Sequence, residues 1–211
     1  MLDEPQERVR EASLGEEAAI LANTTPGYAE AMLFAFRTGC RRMEIIGLRW
    51  TGVDFFTRHF TVLGKGGKTR TIPMADDVHE LLWGLKDNGS DYVFTYVAAR
   101  TDKRKKIIRG ERYPLTDAGL KSAQRRGIKK AGVENFRPHD ARHTAATRTL
   151  RASGNMKVVQ RTLGHSSLET TSKYAHVMSE DIRTALNAAS PVRNPVEGLG
   201  PSAKMLKENG E

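Results

Sequence analysis

The sequence predicts an α+β fold that is mainly helical and contains one small three-stranded antiparallel sheet. Three short runs, residues 53–56, 60–63 and 69–72, are joined by tight turns and have the composition of strands. Much of the remaining chain carries apolar residues at helical spacing, and Thr116 is typical of a residue that caps a helix. We expect the sheet to pack beside the helices.

Composition limits the class of protein. With 211 residues, the chain is long enough for one well-packed domain, or for one domain with tails. A mean hydropathy of -0.52 suits a soluble globular protein, and no apolar run approaches the length of a membrane span. Cys40 is the only cysteine, which excludes intrachain disulfides and cysteine-rich zinc modules. We therefore expect a cytoplasmic protein with no membrane partner.

The chain divides into three parts by composition. Residues 1–24 are polar and acidic without clear periodicity, and we interpret them as a linker or remnant. Residues 25–190 carry the helical and strand patterns and are predicted to form the domain that functions. Residues 191–211 are rich in Pro, Gly and Asn, and we predict a mobile tail.

The net charge of +9 and the pI near 9.8 indicate a polyanionic partner. Basic side chains crowd residues 103–130, directly before an unusual helix. Many such clusters are only solvated surfaces. The position of this one, next to the arginine and histidines described below, favours phosphate as its ligand.

An arginine and two histidines stand where apolar side chains would be less costly. Five residues at helical spacing share one side of a helix predicted to begin near Pro138: His139, Arg142, His143, Ala146 and Leu150. Ala146 and Leu150 indicate that this side faces inward. Because an unpaired buried guanidinium is unfavourable, Arg142 needs an anion, either a carboxylate or a phosphate.

Two alternative motifs are weaker. His139 and His143 have the spacing of a zinc pair, but the zinc-protease glutamate does not follow the first histidine, and a third ligand is not obvious. Gly-Lys-Thr at 67–69 suggests a nucleotide-binding loop, but Val62 stands where that motif requires glycine, and a strand follows instead of a helix. The glycine-rich hairpin more simply presents Lys65 at its tip.

Six groups from distant parts of the chain could act together: Arg41, Lys65, His139, Arg142, His165 and Tyr174. Guanidinium and imidazole groups can hold the non-bridging oxygens of a phosphodiester and the extra charge of its transition state. Tyr174 is predicted to lie beside the apolar stripe of its helix, where it is available to react. The set favours phosphoryl transfer without a metal or other cofactor.

The chain resembles the tyrosine recombinases, also called the phage integrase family. The matching pieces are Thr38-Gly39-x-Arg41-x-x-Glu44, Gly64-Lys65-Gly66, His139-x-x-Arg142-His143-Thr144, Leu163-Gly164-His165 and Tyr174, nine residues after His165. Their order and spacing agree over about residues 25–187. The resemblance implies the family's catalytic-domain fold within residues 25–190, and site-specific DNA cleavage and rejoining through a 3′-phosphotyrosyl intermediate.

The resemblance also implies the main catalytic roles. Tyr174 would be the nucleophile that forms the 3′-phosphotyrosyl bond and frees a 5′-hydroxyl. Arg41 and Arg142 would clamp the scissile phosphate, and His165 would donate a hydrogen bond to a non-bridging oxygen.

Three further residues have implied supporting roles. Lys65 would be the general acid for the leaving 5′-oxygen. His139 would assist proton movement at Tyr174 or at the phosphate. Glu44 would orient the arginine pair from behind.

The implied partners are double-stranded DNA and other protomers of the same protein in a tetrameric synapse. The side chains predicted to contact DNA are Lys68, Arg70, Lys103, Arg104, Lys105, Lys106 and Arg109. Family members usually carry a helical DNA-clamping domain before the catalytic one, whereas the first motif here begins at Thr38. We therefore expect a catalytic-domain fragment or a truncated member.

Two other functions are compatible with these residues. One is a type IB topoisomerase, which would use the same nucleophile to relax supercoils. The other is a DNA-binding regulator that kept the fold and lost the chemistry. The compact size and the Leu-Gly-His spacing favour the recombinase, and the intact set of six groups argues against the regulator.

Overall fold

Helices, a three-stranded sheet and a two-stranded sheet form the part of the chain that the structure describes. This computed structural model describes residues 9–165, 169–172 and 174–175, apart from the side chains of residues 65, 169 and 170. The helices are α1 (Leu14–Ala22), α2 (Tyr28–Thr38), α3 (Arg42–Ile46), α4 (Asp76–Leu85), α5 (Asp117–Lys130), α6 (Asp140–Ser153), α7 (Met156–Leu163) and α8 (Glu169–Ser172). The strands are β1 (Val53–Asp54), β2 (His59–Leu63), β3 (Thr69–Pro73), β4 (Thr95–Val97) and β5 (Arg112–Pro114). The predicted α+β, mainly helical class is confirmed.

The predicted three-stranded antiparallel sheet is confirmed, with the order β1-β2-β3. Phe60, Val62 and Ile72 are buried on one of its faces. On the other face, Thr61 pairs with Thr71, and their hydroxyl groups are 2.9 Å apart. Such alternation is typical of an antiparallel sheet with one face on the core and the other toward solvent.

Helix α2 joins this sheet to the rest of the core. Its Phe34 ring lies 5.0 Å from the ring of Phe60 in β2 and 5.1 Å from that of Phe94, which precedes β4. The helix is buried on most sides, as its nearly continuous apolar sequence predicts. It begins at Tyr28, because Gly27 adopts a φ of 86° and approaches the backbone of Thr95 closely.

Helix α1 packs within the same unit. We interpreted residues 1–24 as a linker, but α1 contributes Ile20 to the main core. Glu17 of α1 is also buried, and it forms ion pairs with arginines of α2 and α6. A capping box between Ser13 and Glu16 begins the helix. This short motif is the sequence signal for α1, because the helix shows no clear apolar periodicity.

The two-stranded sheet was not predicted. Strands β4 and β5 pair antiparallel, with Tyr96 opposite Tyr113. The sequence indicated only an extended piece and a basic loop here, because strands of three residues carry little pattern. The pairing makes the basic segment, residues 98–111, the connection of a hairpin.

Two predictions of the sequence concern membranes and the tail. No helix in the described ranges is both long and apolar enough to cross a bilayer. The predicted tail, residues 191–211, lies outside the residues that the structure describes.

Two glycines that end helices test how tightly the core is packed. A Cβ atom on Gly39, at the end of α2, would lie 2.4 Å from Cδ2 of Leu163, whereas one on Gly154, at the end of α6, would meet nothing within 4 Å. Both glycines have positive φ, so alanine costs roughly 1–2 kcal/mol of backbone strain at either position. Overpacking should cost Gly39→Ala about 1–3 kcal/mol more. Urea unfolding of the two variants measures this difference, and equal losses would contradict the packing described.

Candidate active site

Arg142 is the most deeply buried cation of the site. Its side chain, on the first turn of α6, is 4% exposed. It donates hydrogen bonds to the carbonyls of Gly39 and Leu163, the second at 2.9 Å. Burial lowers the pKa of Arg142 to about 10, and the charge of Arg41 adds to this effect. The guanidinium is still positively charged at neutral pH.

These two carbonyls lie at the carboxyl ends of helices. Gly39 caps α2, and Leu163 is the last residue of α7. Carbonyls at this end of a helix have no partner within the helix and carry partial negative charge. They therefore stabilise the Arg142 cation without neutralising it, which leaves its charge available to an anion.

A small cleft between α3, α5 and α6 collects further polar groups. The residues around it that bear polar side chains are Arg41, Arg42, Gln124, His139 and Arg142. Arg41 is 40% exposed at its side chain, so the cleft connects the buried Arg142 to solvent. The structure thus brings together Arg41, His139 and Arg142, three of the residues that the sequence predicted for one site.

Gln124 is a member of this cleft that sequence reasoning missed. It lies on the buried side of α5, and its Oε1 atom has no hydrogen-bond partner within the described ranges. A buried acceptor without a partner is unfavourable. One glutamine at a helical position gave no sequence signal, because only the tertiary fold brings it against the arginines.

Glu44 lies behind Arg41. Its buried carboxylate accepts hydrogen bonds from the backbone N–H of Arg41 at 2.7 Å and from Nη1 of the same residue at 3.2 Å. Arg70 donates to it through Nη1 at 2.5 Å and through Nη2 at 2.8 Å. Burial raises the pKa of Glu44, but the hydrogen bonds from Arg70 and from the Arg41 backbone outweigh burial and hold this pKa below its ordinary value. The carboxylate is therefore ionised.

Arg70 was predicted to contact DNA, and the structure places it elsewhere. Its side chain is 15% exposed and faces Glu44, while its Nε atom donates to the carbonyl of Thr162 at 3.2 Å. Its guanidinium also approaches the buried thiol of Cys40. Arg70 therefore links β3 to α3 and α7. The sequence could not distinguish this buried arginine from its exposed basic neighbours.

The hairpin between β2 and β3 approaches the same region. Lys65 lies in a short turn of residues 65–67, and its side chain is outside the described part of the structure. A Cβ atom on the preceding Gly64 would be 3.5 Å from Oε1 of Glu44, so the base of the turn adjoins the carboxylate. Lys68 is exposed on the far side of the turn.

Tyr174 is buried, in contrast to the prediction that it is available beside the apolar stripe. Its side chain is 1% exposed and packs with Ala146, Leu150, Val159 and Leu163. The prediction assumed one continuous helix through residue 174, whereas residue 174 lies in a turn. The ring therefore returns toward α6.

The hydroxyl of Tyr174 lies 2.8 Å from Nδ1 of His143. The ring of His143 also makes an edge contact with the ring of His139, with 5.0 Å between their centroids. Charge on Tyr174 would raise the pKa of Arg142. His143 was not assigned a role from the sequence.

His165 follows the end of α7. Its Nδ1 atom is 2.9 Å from the hydroxyl of Thr171 in α8. Gly164, which precedes it, has a φ of 66° and allows the chain to turn directly after the carbonyl that Arg142 binds. The carbonyl that Arg142 binds, that of Leu163, therefore lies only two residues before His165 in the chain.

Two other predictions concern charge and metal. The basic hairpin connection between β4 and β5, residues 98–111, contains five residues that were predicted to contact DNA. All five are exposed: Lys103, Arg104, Lys105, Lys106 and Arg109. Within the described ranges, no group of three or more potential ligand side chains could hold a metal ion, so the zinc alternative gains no third ligand for His139 and His143.

The residues of the site fall within a match to a known family. The model of the phage integrase family matches residues 16–181. The tyrosine recombinase XerC of Corynebacterium glutamicum is 32% identical over 159 residues, which covers 74% of this chain and 48% of that protein. The chain spans about half the length of the curated relatives it matches.

Solved structures have the same fold. The XerA recombinase has a TM-score of 0.65 at 24% identity, covering 89% of this chain and 68% of that one. A lambda integrase dimer bound to a COC′ core site has a TM-score of 0.61 at 21% identity, covering 81% of this chain and 49% of that one. The fold of the chain is that of a tyrosine recombinase catalytic domain.

Replacing Arg70 tests its place in the interior. Arg70→Ala should lower the free energy of unfolding by about 3–5 kcal/mol at pH 7, because it leaves a buried carboxylate with one arginine fewer. Since Arg70 holds the pKa of Glu44 low, it stabilises the wild type above the unfolded-state pKa, and this stabilisation is lost as pH falls through the lower, folded-state pKa. Urea unfolding should therefore show a smaller difference at pH 4 than at pH 7. The exposed Arg104→Ala is the control, and a loss as large as that of Arg70→Ala would contradict this assignment.

Proposed function

The chain belongs to the phage integrase family, and we propose that it is the catalytic part of a site-specific DNA recombinase. The observation that carries the proposal is that Arg41 and Arg142 line one cleft, while Leu163 at the end of α7 binds Arg142 through its carbonyl and packs against Tyr174 through its side chain. In the proposed reaction, the Tyr174 oxygen attacks the scissile phosphorus and the bond to the 5′-oxygen breaks. A 5′-hydroxyl of another strand then reverses the step. No ATP is required, because the phosphotyrosyl bond conserves the energy of the phosphodiester.

The two arginines are suited to hold the scissile phosphate. Arg142 is buried, and repulsion from Arg41 contributes to its lowered pKa. An anion between them would relieve this repulsion, and it would do so most for the additional charge of the transition state. Glu44, already paired with Arg41 and Arg70, would fix the direction of the Arg41 side chain.

The remaining roles follow the family assignment. His165, oriented by Thr171, would donate to a non-bridging oxygen. Lys65 would protonate the leaving 5′-oxygen from the hairpin turn that adjoins Glu44. His139 would act at the phosphate, because it lines the cleft.

DNA is the proposed substrate, and further protomers are the proposed partners. The lambda integrase structure contains a dimer on a core site, which supports binding of duplex DNA by this fold. The exposed basic hairpin connection would contact the phosphate backbone, together with Lys68. Recombination needs two sites to be paired, so we propose that four protomers assemble on DNA.

A covalent adduct is the direct test of this reaction. We expect the 211-residue chain to form a denaturant-resistant adduct with a nicked duplex that carries a 5′-bridging sulfur, since the released thiolate rejoins poorly. Tyr174→Phe should abolish the adduct and retain binding, whereas Tyr92→Phe should form it normally. Electrophoresis after denaturation measures both. Binding without an adduct by the wild type would favour the regulator, and relaxation of plasmids of unrelated sequence would favour the topoisomerase.

The salt dependence of DNA binding tests the basic hairpin connection. Each phosphate contact contributes about 0.9 to the slope of log K against log salt. Replacing Lys103 and Arg104 together by alanine should therefore reduce the slope by roughly 2 and weaken binding to all sequences alike. Arg58→Ala is the control, because this exposed arginine already pairs with Asp76. Fluorescence anisotropy at several salt concentrations provides the slopes, and an unchanged slope would remove this segment from the DNA contacts.

A further inference from the structure

We propose that His143 is the proton acceptor for Tyr174 when the DNA strand is cleaved, an inference that rests on the proposed function. The Nδ1 atom of His143 lies 2.8 Å from the phenolic oxygen. Both side chains are buried, at 4% and 1% exposure. Bulk water is therefore not positioned to take the phenolic proton, and the structure sets an imidazole nitrogen directly against it.

The chemistry is balanced by groups already named. As the bond from the Tyr174 oxygen to phosphorus forms, the O–H bond breaks and its proton moves to Nδ1 of His143. The bond from phosphorus to the 5′-oxygen breaks, and that oxygen takes a proton from the proposed acid, Lys65. In the rejoining step the attacking 5′-hydroxyl gives its proton back to Lys65, and the imidazolium returns its proton to the leaving phenol. The cycle leaves both side chains unchanged.

The energetics favour transfer during attack and not before it. A free phenol has a pKa of about 10 and a free imidazole one of about 6.5, so the resting pair keeps the proton on Tyr174. Bonding to phosphorus makes the phenol far more acidic, and an acceptor with a pKa near the working pH is then effective. The positive charge of Arg142 favours developing phenolate.

The surroundings of His143 suit this role. The titratable groups that contact it include Tyr174 and His139, and Arg142 precedes it on α6. The proposed role requires the neutral imidazole, which is the form that can accept a proton. His139 was expected to assist at either Tyr174 or the phosphate. Its position on the cleft suits it to the phosphate.

Two substitutions separate proton transfer from packing. Asparagine at position 143 can place a hydrogen-bonding amide near the former Nδ1 atom but cannot take a proton, whereas alanine removes both functions. We expect His143→Asn and His143→Ala to cleave more slowly by roughly 10²–10⁴-fold in single-turnover assays on the sulfur-bridged duplex. The wild-type rate should fall on acidification as the imidazole becomes protonated, and this dependence should disappear in His143→Asn. Thr147→Val is the control, since this buried hydroxyl, one turn along α6, has no hydrogen-bond partner among the residues that the structure describes.

The outcomes distinguish this inference from the proposed function. If the wild type forms no adduct, the proposed function fails. If the wild type forms it and His143→Asn cleaves at the wild-type rate, or keeps the wild-type pH profile, only the role of His143 fails. A second measurement requires no variant: nitrogen-15 NMR of the wild-type chain should show the neutral ring with its hydrogen on Nε2. A hydrogen on Nδ1 would overturn the proposal even if His143→Asn did not fold.

Discussion

The buried guanidinium of Arg142 is held by the carboxyl ends of two helices, and the arrangement of the site depends on this interaction. Sequence reasoning required an anion for this arginine and left open whether that anion was a carboxylate or a phosphate. The carbonyls of Gly39 and Leu163 provide a third answer, because they satisfy donors without cancelling the charge. Helices α2 and α7 must therefore end where they do. The glycine that ends each of them, Gly39 or Gly164, makes this possible.

A second set of charged contacts holds the partly exposed arginine of the cleft in place beside the buried one. Glu44 is shared between Arg41 and Arg70, and Arg70 in turn binds the carbonyl of Thr162, one residue before Leu163. The two sets of contacts thus meet at the same end of α7. That helix end also packs against Tyr174, so the groups that would hold a phosphate and the phenol that would attack it share one support.

Sequence reasoning identified what depends on chemistry and spacing. Strand-like composition predicted the three-stranded sheet, and a nearly continuous apolar run predicted the buried α2. Basic residues at inward-facing positions predicted the shared cleft of Arg41, His139 and Arg142. It failed where tertiary contacts decide. A basic side chain on a strand, such as Arg70, looks the same whether it faces DNA or a buried carboxylate.

Short elements and local breaks explain the other differences. Helix α1 and the β4–β5 pair are too short to show apolar periodicity, and only the capping box of α1 marked it. The burial of Tyr174 depends on the turn in which it lies, which a periodic pattern does not reveal. The sequence does not show that Gln124 and His143 belong to the site, because this depends on which residues the fold brings against them.

The single thiol of the chain lies within this charged region. Arginine neighbours usually activate a cysteine, and Arg70 and Arg142 both act in that direction on Cys40. Burial outweighs them and raises the pKa of Cys40 to about 11, so the sulfur stays protonated and shielded. We therefore expect this thiol to react slowly with alkylating reagents while the chain remains folded. Modification of this sulfur would report that α2 and α3 have separated.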